Sequence, residues 1–390
     1  MAGSPTPQPT SAPAPAPQRT TLRVWHGESG AAGTTLRAQL IEYQRDNPDV
    51  QIELEDRGFQ LLRDYADAVQ AGGPPDLVLL SENHWVGGLA ERQLIADLTA
   101  EFPSAEQAPF APAALEGVRH QGRLYGLPLT LDVPVLFFNR ANFAPSGAPP
   151  ATSAELFQAA RGLSVNDKQG LAYNLNLYFT YPYLAAFGGG AFDAEGRPIL
   201  ATSGAEGARR WLDWLRGLAE DPQLLARDDS RAITNAIQRN GVLMAVDWAR
   251  NLPTYTRLWR EETGIAPLPQ LSDTGQDPRP LVRSSVLALN PRAGDQQRKA
   301  ALDVMRFLTG QAAQAELRAA GLPTVRTDLA AADDPLQAAI DLAASQGQAW
   351  PASPQFQDNW DILAQMVRSV LNGTPSQDAI DQAAPRLQNR

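Results

Sequence analysis

Leu22-Arg23-Val24-Trp25 opens a segment that closes with Asp76-Leu77-Val78-Leu79-Leu80, and both apolar runs predict short strands. Between these two runs lie a helical pattern at residues 34–46, an alternating strand pattern at residues 50–54 and a second helical pattern at residues 61–69. The order strand, helix, strand, helix, strand is typical of a doubly wound α/β sheet.

The composition indicates a folded protein of more than one domain. The chain has 390 residues, of which 43% are hydrophobic and 19% are charged, and this is enough for two domains. A formal net charge of −10 argues against a nucleic-acid partner, which would require basic patches. The sequence contains no cysteine, which excludes disulfides and thiolate metal sites, and it has no apolar run of membrane-spanning length.

Residues 1–20 differ in composition from the rest of the chain, since they are almost entirely Pro, Ala, Ser, Thr and Gln after the first three residues. Such a segment buries too little apolar surface to fold and is expected to be a disordered tether. A tether before a globular body favours a protein anchored outside the cytoplasm through an N-terminal lipid. The alternative is a terminal segment with no role.

Further along the chain, residues 122–139 form an extended run that contains Pro128 and Pro134. Proline is rare in central strands, so this run is expected to connect two lobes. Residues 150–280 have mainly helical patterns. A second α/β alternation then begins with the apolar run at residues 286–289 and a helix at residues 297–320.

Motifs for catalysis are absent from the sequence. His26, His84 and His120 are the only histidines, and no metalloprotease, nucleophile-elbow or nucleotide-loop motif is present. We therefore expect no metal, no cofactor and no enzymatic activity. A secreted α/β hydrolase remains an alternative, because the separation of a catalytic carboxylate pair cannot be read from sequence.

Conspicuous polar and aromatic residues follow several of the predicted strands, which is where ligands bind in open α/β sheets. They fall in four short segments: 25–28 (Trp-His-Gly-Glu), 81–85 (Ser-Glu-Asn-His-Trp), 130–132 (Thr-Leu-Asp) and 247–250 (Asp-Trp-Ala-Arg). A carboxylate accepts hydrogen bonds from neighbouring hydroxyls, and an aromatic ring covers the apolar face of a pyranose. The mixture favours a sugar site.

Each candidate also has a structural interpretation. Trp248 is as consistent with the core as with a ligand contact, and Glu82 is equally consistent with a helix cap. Asp132 interrupts an apolar run, and a lone carboxylate there is costly unless it is paired or faces a cleft. We favour the cleft for Asp132.

Residues 122–128 (Gly-Arg-Leu-Tyr-Gly-Leu-Pro) and 132–140 (Asp-Val-Pro-Val-Leu-Phe-Phe-Asn-Arg) carry a family resemblance. They resemble a conserved stretch of the extracellular solute-binding family 1 of ABC importers, the maltose-binding and glycerol-3-phosphate-binding group. Three further segments match in order: 25–27, 72–76 and 264–269. The resemblance covers nearly the whole chain from Thr21.

The resemblance implies two doubly wound α/β lobes joined by a hinge with three crossings, near residues 128–134, 283–288 and 321–326. Lobe 1 would comprise residues 21–128 and 289–320, and lobe 2 residues 129–288 and 321–390. The ligand would lie between the lobes. The candidate ligand-binding residues are His26, Glu28, Glu82, Asp132, Trp248, Arg250 and Ser284.

The expected function is capture of a sugar or oligosaccharide outside the cytoplasm, in the periplasm or at the cell surface, by a monomer that delivers it to a membrane permease. Two departures from the family leave the ligand open: Arg283-Ser284-Ser285 stands where many members have Gly-Gly, and Val246-Asp247-Trp248 stands where many sugar binders read N-G-P-W. Arg250 or Arg283 would suit a phosphate, so a phosphorylated polyol such as glycerol 3-phosphate or its diester is the alternative ligand.

Overall fold

The protein is described by a computed structural model that covers residues 19–143, 147–165, 168–193, 195–329 and 334–388. Residues 1–18 of the predicted tether lie outside the described residues. Thr20, which we had placed in the tether, is instead the first residue of the first strand.

The strands are short, as expected for an α/β protein. In chain order they are β1 Thr20–His26, β2 Val50–Asp56, β3 Leu77–Leu80, β4 Arg119–His120, β5 Arg123–Leu124, β6 Leu127–Asp132, β7 Pro134–Asn139, β8 Ala172–Asn174, β9 Leu225–Arg227, β10 Met244–Trp248, β11 Thr263–Ala266, β12 Leu281–Leu289 and β13 Gln348–Ala349.

Helices connect most of these strands. They are α1 Gly30–Asp46, α2 Leu61–Ala71, α3 Trp85–Glu91, α4 Ser104–Gln107, α5 Pro112–Glu116, α6 Ser153–Leu163, α7 Leu177–Thr180, α8 Pro182–Ala186, α9 Ala205–Glu220, α10 Ser230–Gln238, α11 Leu252–Trp259, α12 Asp295–Leu308, α13 Gln311–Ala319, α14 Pro335–Ser345, α15 Pro354–Leu371 and α16 Ser376–Ala383. Five short 3₁₀ turns accompany them at Gly58–Gln60, Arg140–Phe143, Ala249–Asn251, Arg260–Glu262 and Ala384–Arg386.

The first lobe is built on a sheet with the strand order β13-β12-β3-β1-β2, and β6 pairs with the edge of β12 that faces away from β3. β1 is parallel to both β2 and β3, which is the arrangement that the alternating N-terminal pattern predicts. β12 runs antiparallel to β3 and β6. All four residues of β3 are buried, so the continuous apolar run at 77–80 is explained by a central strand covered on both faces.

The second lobe is built on a sheet with the order β11-β7-β10-β8-β9. β7 is antiparallel to its neighbours β10 and β11, whereas β8 is parallel to both β10 and β9. Helix α9 packs on this sheet through the apolar face predicted for it, and Trp211 on that face is fully buried. The two sheets and their helices form the expected pair of α/β lobes.

The first two crossings between the lobes lie at Val133 and in residues 267–280. Val133 separates β6 of the first sheet from β7 of the second, and residues 267–280 separate β11 from β12. We had expected residues 129–288 in lobe 2 and a crossing at 283–288. Residues 129–132 and 281–288 belong instead to the first sheet, because β6 and β12 pair there with each other and every residue of β12 is buried.

The third crossing also comes later than expected. Thr324 forms an isolated bridge with Thr130, and the Ala111 N–H donates to the Val325 carbonyl, so these residues still pack on the first lobe. Helix α14 then contacts β7 and β11 of the second sheet, β13 returns to pair with β12, and α15 and α16 pack on α9. The C-terminal region therefore contributes to both lobes and links them.

Candidate functional site

A cavity of about 560 Å³ lies between the two sheets. From the first lobe, the turn after β1, the residues after β3, the end of β6 and the middle of β12 line it. From the second lobe it is lined by Arg250, Asn251, Pro253 and Thr254, and Leu322 and Pro323, which precede the third crossing, also line it. Its volume falls in the usual range of 300–1,000 Å³ for small-molecule sites. Five of the seven predicted site residues line this cavity: Glu28, Glu82, Asp132, Arg250 and Ser284.

Asp132 lies at the hinge and is 5% exposed. Its Oδ1 accepts hydrogen bonds from the backbone N–H groups of Arg250 (3.1 Å) and Val133 (3.2 Å). Its Oδ2 lies 3.1 Å from Arg250 Nε, as an ion pair without hydrogen-bond alignment. Burial raises the pKa of Asp132, and the charges of Arg250 and Arg283 oppose that rise. The carboxylate thus joins the first crossing to the second lobe and also faces the cavity.

Glu82 follows β3 and bridges two partners. One carboxylate oxygen lies 2.9 Å from Arg283 Nη2 and the other lies 3.0 Å from His84 Nδ1. Burial alone would raise the pKa of Glu82, but the His84 hydrogen bond and the Arg283 charge outweigh burial and lower it. Of the two interpretations of Glu82, the structure places it in the cavity wall and not at the cap of α3, whose N-cap residue is His84.

Glu28 lines the cavity, whereas His26 does not. Within the part of the chain that is described, the Glu28 carboxylate has no hydrogen-bond or ion-pair partner. Burial raises the pKa of Glu28, and the Arg250 and Arg283 charges oppose that effect. His26 is 1% exposed, and its Nδ1 accepts a hydrogen bond from the Glu28 N–H. We had expected His26 to contact a ligand. It lies instead beneath the turn, because the alternation of β1 turns its side chain into the core.

Trp248 lines a second, smaller chamber of about 260 Å³. This chamber shares Arg283 and Asn251 with the main cavity. The Arg283 guanidinium carbon lies 4.4 Å from the centre of a Trp248 ring, so it covers one aromatic face. Trp248 is 9% exposed, so it is buried in the core as well as lining the chamber, and its contact with a ligand stays a prediction.

Sequence reasoning missed Tyr178, which lines this second chamber, and the buried tryptophans Trp350 and Trp360, which pack against Tyr178 without lining the chamber. Tyr178 lies 5.8 Å from Trp248 between ring centres and stacks on Trp350 at 5.1 Å, and Trp350 lies 4.4 Å from Trp360. A signal for Tyr178 was available, since it follows the strand β8 and the chamber-lining amides Asn174 and Asn176. No comparable signal marked Trp350, because it comes from the distant C-terminal connection.

Ser284 and Asn83 show how the first sheet shapes the cavity floor. Ser284 lines the cavity, and its buried Oγ has no hydrogen-bond partner among the described residues. The Asn83 side chain accepts from the Ser284 N–H at 3.1 Å and donates to the carbonyls of Gly117 (3.0 Å) and Trp350 (3.1 Å). Asn83 therefore connects the end of β3 to β12, to α5 and to the C-terminal connection.

The chemistry of the cavity is that of a polar solute site. Its lining carries three carboxylates and two guanidinium groups, with hydroxyls from Ser81, Thr130 and Ser284 among others. Both guanidinium groups already have carboxylate partners. In the described ranges, no group of three or more His, Asp or Glu residues is arranged to hold a metal ion, and no helix is both long and apolar enough to cross a membrane.

A family model described as "Bacterial extracellular solute-binding protein" matches residues 27–315, which is more than half of the chain. The match contains the stretch around Asp132 and most of both sheets.

The chain belongs to this family.

Two curated relatives of this family member match parts of it. A maltotriose-binding protein of Pyrococcus abyssi is 28% identical over 172 residues, which are 44% of this chain and 37% of the relative. A probable ABC transporter-binding protein of Deinococcus radiodurans is 25% identical over 266 residues, which are 62% of this chain and 61% of the relative. The aligned regions thus span less than two thirds of either relative.

Two solved structures match nearly the whole length of this chain. The maltose/maltodextrin-binding domain MalE of Bdellovibrio bacteriovorus, solved with maltotriose, superimposes with a TM-score of 0.80 at 22% identity, covering 94% of this chain and 98% of that one. The GacH receptor of Streptomyces glaucescens, solved unliganded and with acarbose, has a TM-score of 0.81 at 18% identity, covering 94% and 97%. At these identities the likeness confirms the predicted two-lobed α/β fold.

Proposed function

We propose that this protein is the extracytoplasmic solute-binding subunit of an ATP-driven importer and that it captures a sugar or short oligosaccharide between its lobes. The observation that carries the proposal is the 560 Å³ cavity between the two sheets, whose wall combines carboxylates from the first lobe with hydroxyl and guanidinium groups from both lobes. Sugar hydroxyls both donate and accept hydrogen bonds, so they match such a wall.

Within this proposal, Glu28 is the principal acceptor for sugar hydroxyls, because its carboxylate lines the cavity and is not engaged by an arginine. Asp132, Glu82, Arg250 and Ser284 complete the site. The family relatives named for maltotriose and maltodextrin support a sugar of this class.

The mechanism is hinge closure. A ligand that contacts both lobes binds the closed state more tightly and shifts the population toward it. The closed protein then delivers the sugar to a permease. We propose that it acts as a monomer without catalytic activity, held at the membrane through an N-terminal lipid and a tether formed by the residues before Thr20. Small-angle scattering with and without ligand tests closure, since the radius of gyration should fall on binding.

A phosphorylated polyol fits this cavity less well than a neutral sugar. Arg250 pairs with Asp132 and Arg283 pairs with Glu82, so neither guanidinium is free to receive a phosphate. The remaining carboxylate, Glu28, would repel it.

Thermal unfolding of the full chain tests the proposed function. Glucose, maltose and maltotriose are compared with glycerol 3-phosphate and glutamate. A ligand present at a hundred times its Kd stabilises the native state by about 2.7 kcal/mol, so at least one sugar should raise Tm by a few degrees. The proposal would be contradicted if no sugar raised Tm, or if glycerol 3-phosphate alone raised it. Bound maltotriose should also be recovered chemically intact, and its cleavage would identify a hydrolase.

A further inference from the structure

Arg283 lies at the boundary between the main cavity and the second chamber. It lines both, and it is 8% exposed. Its guanidinium carbon lies 4.4 Å from a Trp248 ring centre and 5.7 Å from the Tyr178 ring centre. The aromatic faces that border the second chamber on this side are therefore covered by an arginine of the other lobe.

Two residues hold Arg283 in this position. Glu82 binds its Nη2 at 2.9 Å, and His84 engages the other oxygen of Glu82 at 3.0 Å. Because the pKa of Glu82 is lowered by these partners, Glu82 remains ionised and keeps its attraction for the guanidinium. The backbone of Arg283 is fixed as well, since it pairs in β12 opposite Asp132.

We propose that Arg283 is a specificity-determining residue that confines the ligand to the main cavity, so that sugar units beyond a disaccharide add little affinity. This inference rests on the proposed sugar-binding function. A longer chain that starts in the main cavity has two directions of growth. One leads into solvent, where added units gain no contacts. The other leads past Arg283 to the ring of Trp248.

Entry into the second chamber requires displacement of the guanidinium. That displacement separates Arg283 from Glu82 and from the aromatic face, and it leaves a largely buried carboxylate without its cationic partner, which is costly. The stacking of one sugar unit on an aromatic ring does not offset both losses. Affinity in the wild-type protein is therefore expected to change little from maltose to maltotetraose.

The test is calorimetric titration of the full chain with glucose, maltose, maltotriose and maltotetraose. Arg283→Ala joins the two chambers and removes the nearer of two arginines over the Trp248 ring, since the Arg250 guanidinium carbon lies 5.8 Å from a ring centre. The affinity of this variant should therefore rise with chain length, by about tenfold from maltose to maltotriose. Glu82→Gln is a second variant, which keeps the arginine but releases it, and it should give the same trend in a weaker form. Arg306→Ala is the matched control, because Arg306 also pairs with a glutamate (Glu106, 2.8 Å) and covers a ring (Phe102, 4.6 Å), but outside the main cavity and the second chamber.

We expect the affinity of the wild-type protein to be nearly independent of sugar chain length, and the affinity of Arg283→Ala to rise with chain length. A wild-type preference for longer chains, or a profile that Arg283→Ala and Glu82→Gln both leave unchanged, overturns this inference while the sugar-binding function stands. Failure of the wild-type protein and the variants to bind any of the four sugars overturns the proposed function, and this inference with it.

Discussion

At the residue scale, the site is built from charges that are already paired, of which Asp132 and Arg283 are buried and Arg250 is exposed. Asp132 engages Arg250, and Glu82 engages Arg283 and His84. Charged groups in a partly desolvated cavity are tolerated because each has a partner, so the pairs organise the walls before any ligand arrives. Glu28 differs, because its carboxylate has no such partner among the residues described.

Asp132 is expected to serve both the hinge and the ligand. Asp132→Ala removes the acceptor of two backbone N–H groups, so the ligand-free protein should lose about 1–3 kcal/mol of unfolding free energy as well as sugar affinity. Asp132→Asn keeps an acceptor and removes the charge, so it should spare most of the stability and still weaken maltose binding by about five- to tenfold. Titration calorimetry and ligand-free Tm on both variants measure the two effects. Unchanged affinity in both would remove Asp132 from the site.

Asp247 predicts a pH dependence of stability. Its carboxylate accepts from the Trp248 N–H at 2.8 Å and from the Tyr255 hydroxyl at 3.0 Å, and burial raises its pKa to about 6 from the ordinary 3.8. Between these two pH values the folded state holds more protons than the unfolded state. The contribution of Asp247 to stability is therefore fully present below about pH 4 and is lost as pH rises toward 6.

Asp247→Asn tests this dependence, because it removes the titrating group and keeps an acceptor for Tyr255. Tm of the ligand-free wild-type protein, relative to the variant, should fall from pH 4 to pH 6 and level off above. A wild-type minus variant difference that is constant with pH would show that Asp247 does not titrate in this range.

At the element scale, the join between the lobes depends on close packing of α3 against the C-terminal connection. A Cβ at Gly87 of α3 would lie 2.2 Å from the Ala352 carbonyl oxygen, which is backbone and has little freedom to move. Residues 348–355 carry β13 on the first sheet and lead into α15 on the second lobe. The absence of a side chain at Gly87 thus lets the two lobes share this connection.

Gly87→Ala is accordingly expected to reduce the unfolding free energy by about 1–3 kcal/mol, through overpacking. The neighbouring Gly88→Ala is the control, because its nearest contact would be the Pro354 ring at 3.9 Å and alanine favours the helix. Denaturant titration of the two variants compares them directly. Equal stability of the two variants would show that residues 348–355 move away from α3 at little energetic cost.

At the scale of the whole molecule, the N-terminal region is expected to be separable from the folded body. The first described strand begins at Thr20, whose N–H donates to the Asp49 carbonyl at 2.8 Å, so sheet pairing is already established at that residue. A Pro- and Ala-rich segment before it has little apolar surface to contribute to either lobe.

Deletion of residues 1–18 should therefore leave both Tm and maltose affinity unchanged. Differential scanning calorimetry and titration of the shortened chain beside the full chain measure these two quantities. A drop in Tm of several degrees would mean that the segment packs on the body, and the tether assignment would be abandoned.

The sequence alone determined the elements whose signals are local. The β1-to-β3 alternation, the amphipathic face of α9 and the conspicuous carboxylate at Asp132 all follow from residues that are neighbours in the chain, through side-chain periodicity and the cost of an unpaired charge. The ends of predicted strands pointed to four of the residues that line the cavity, namely Glu28, Glu82, Asp132 and Arg250, because ligands bind at strand ends in open α/β sheets. Ser284, the fifth, was predicted from the family resemblance.

Only the tertiary structure decided the rest. It placed β12 wholly in the first sheet, paired Arg283 with Glu82 and placed that guanidinium over Trp248. The β12 placement and the Arg283–Glu82 pair join segments far apart in the chain, and which of several possible partners a strand or a charge takes is set by the packing of the two lobes against each other. Side-chain periodicity does not indicate which partner is taken, since an apolar strand such as β12 fits the centre of either sheet equally well.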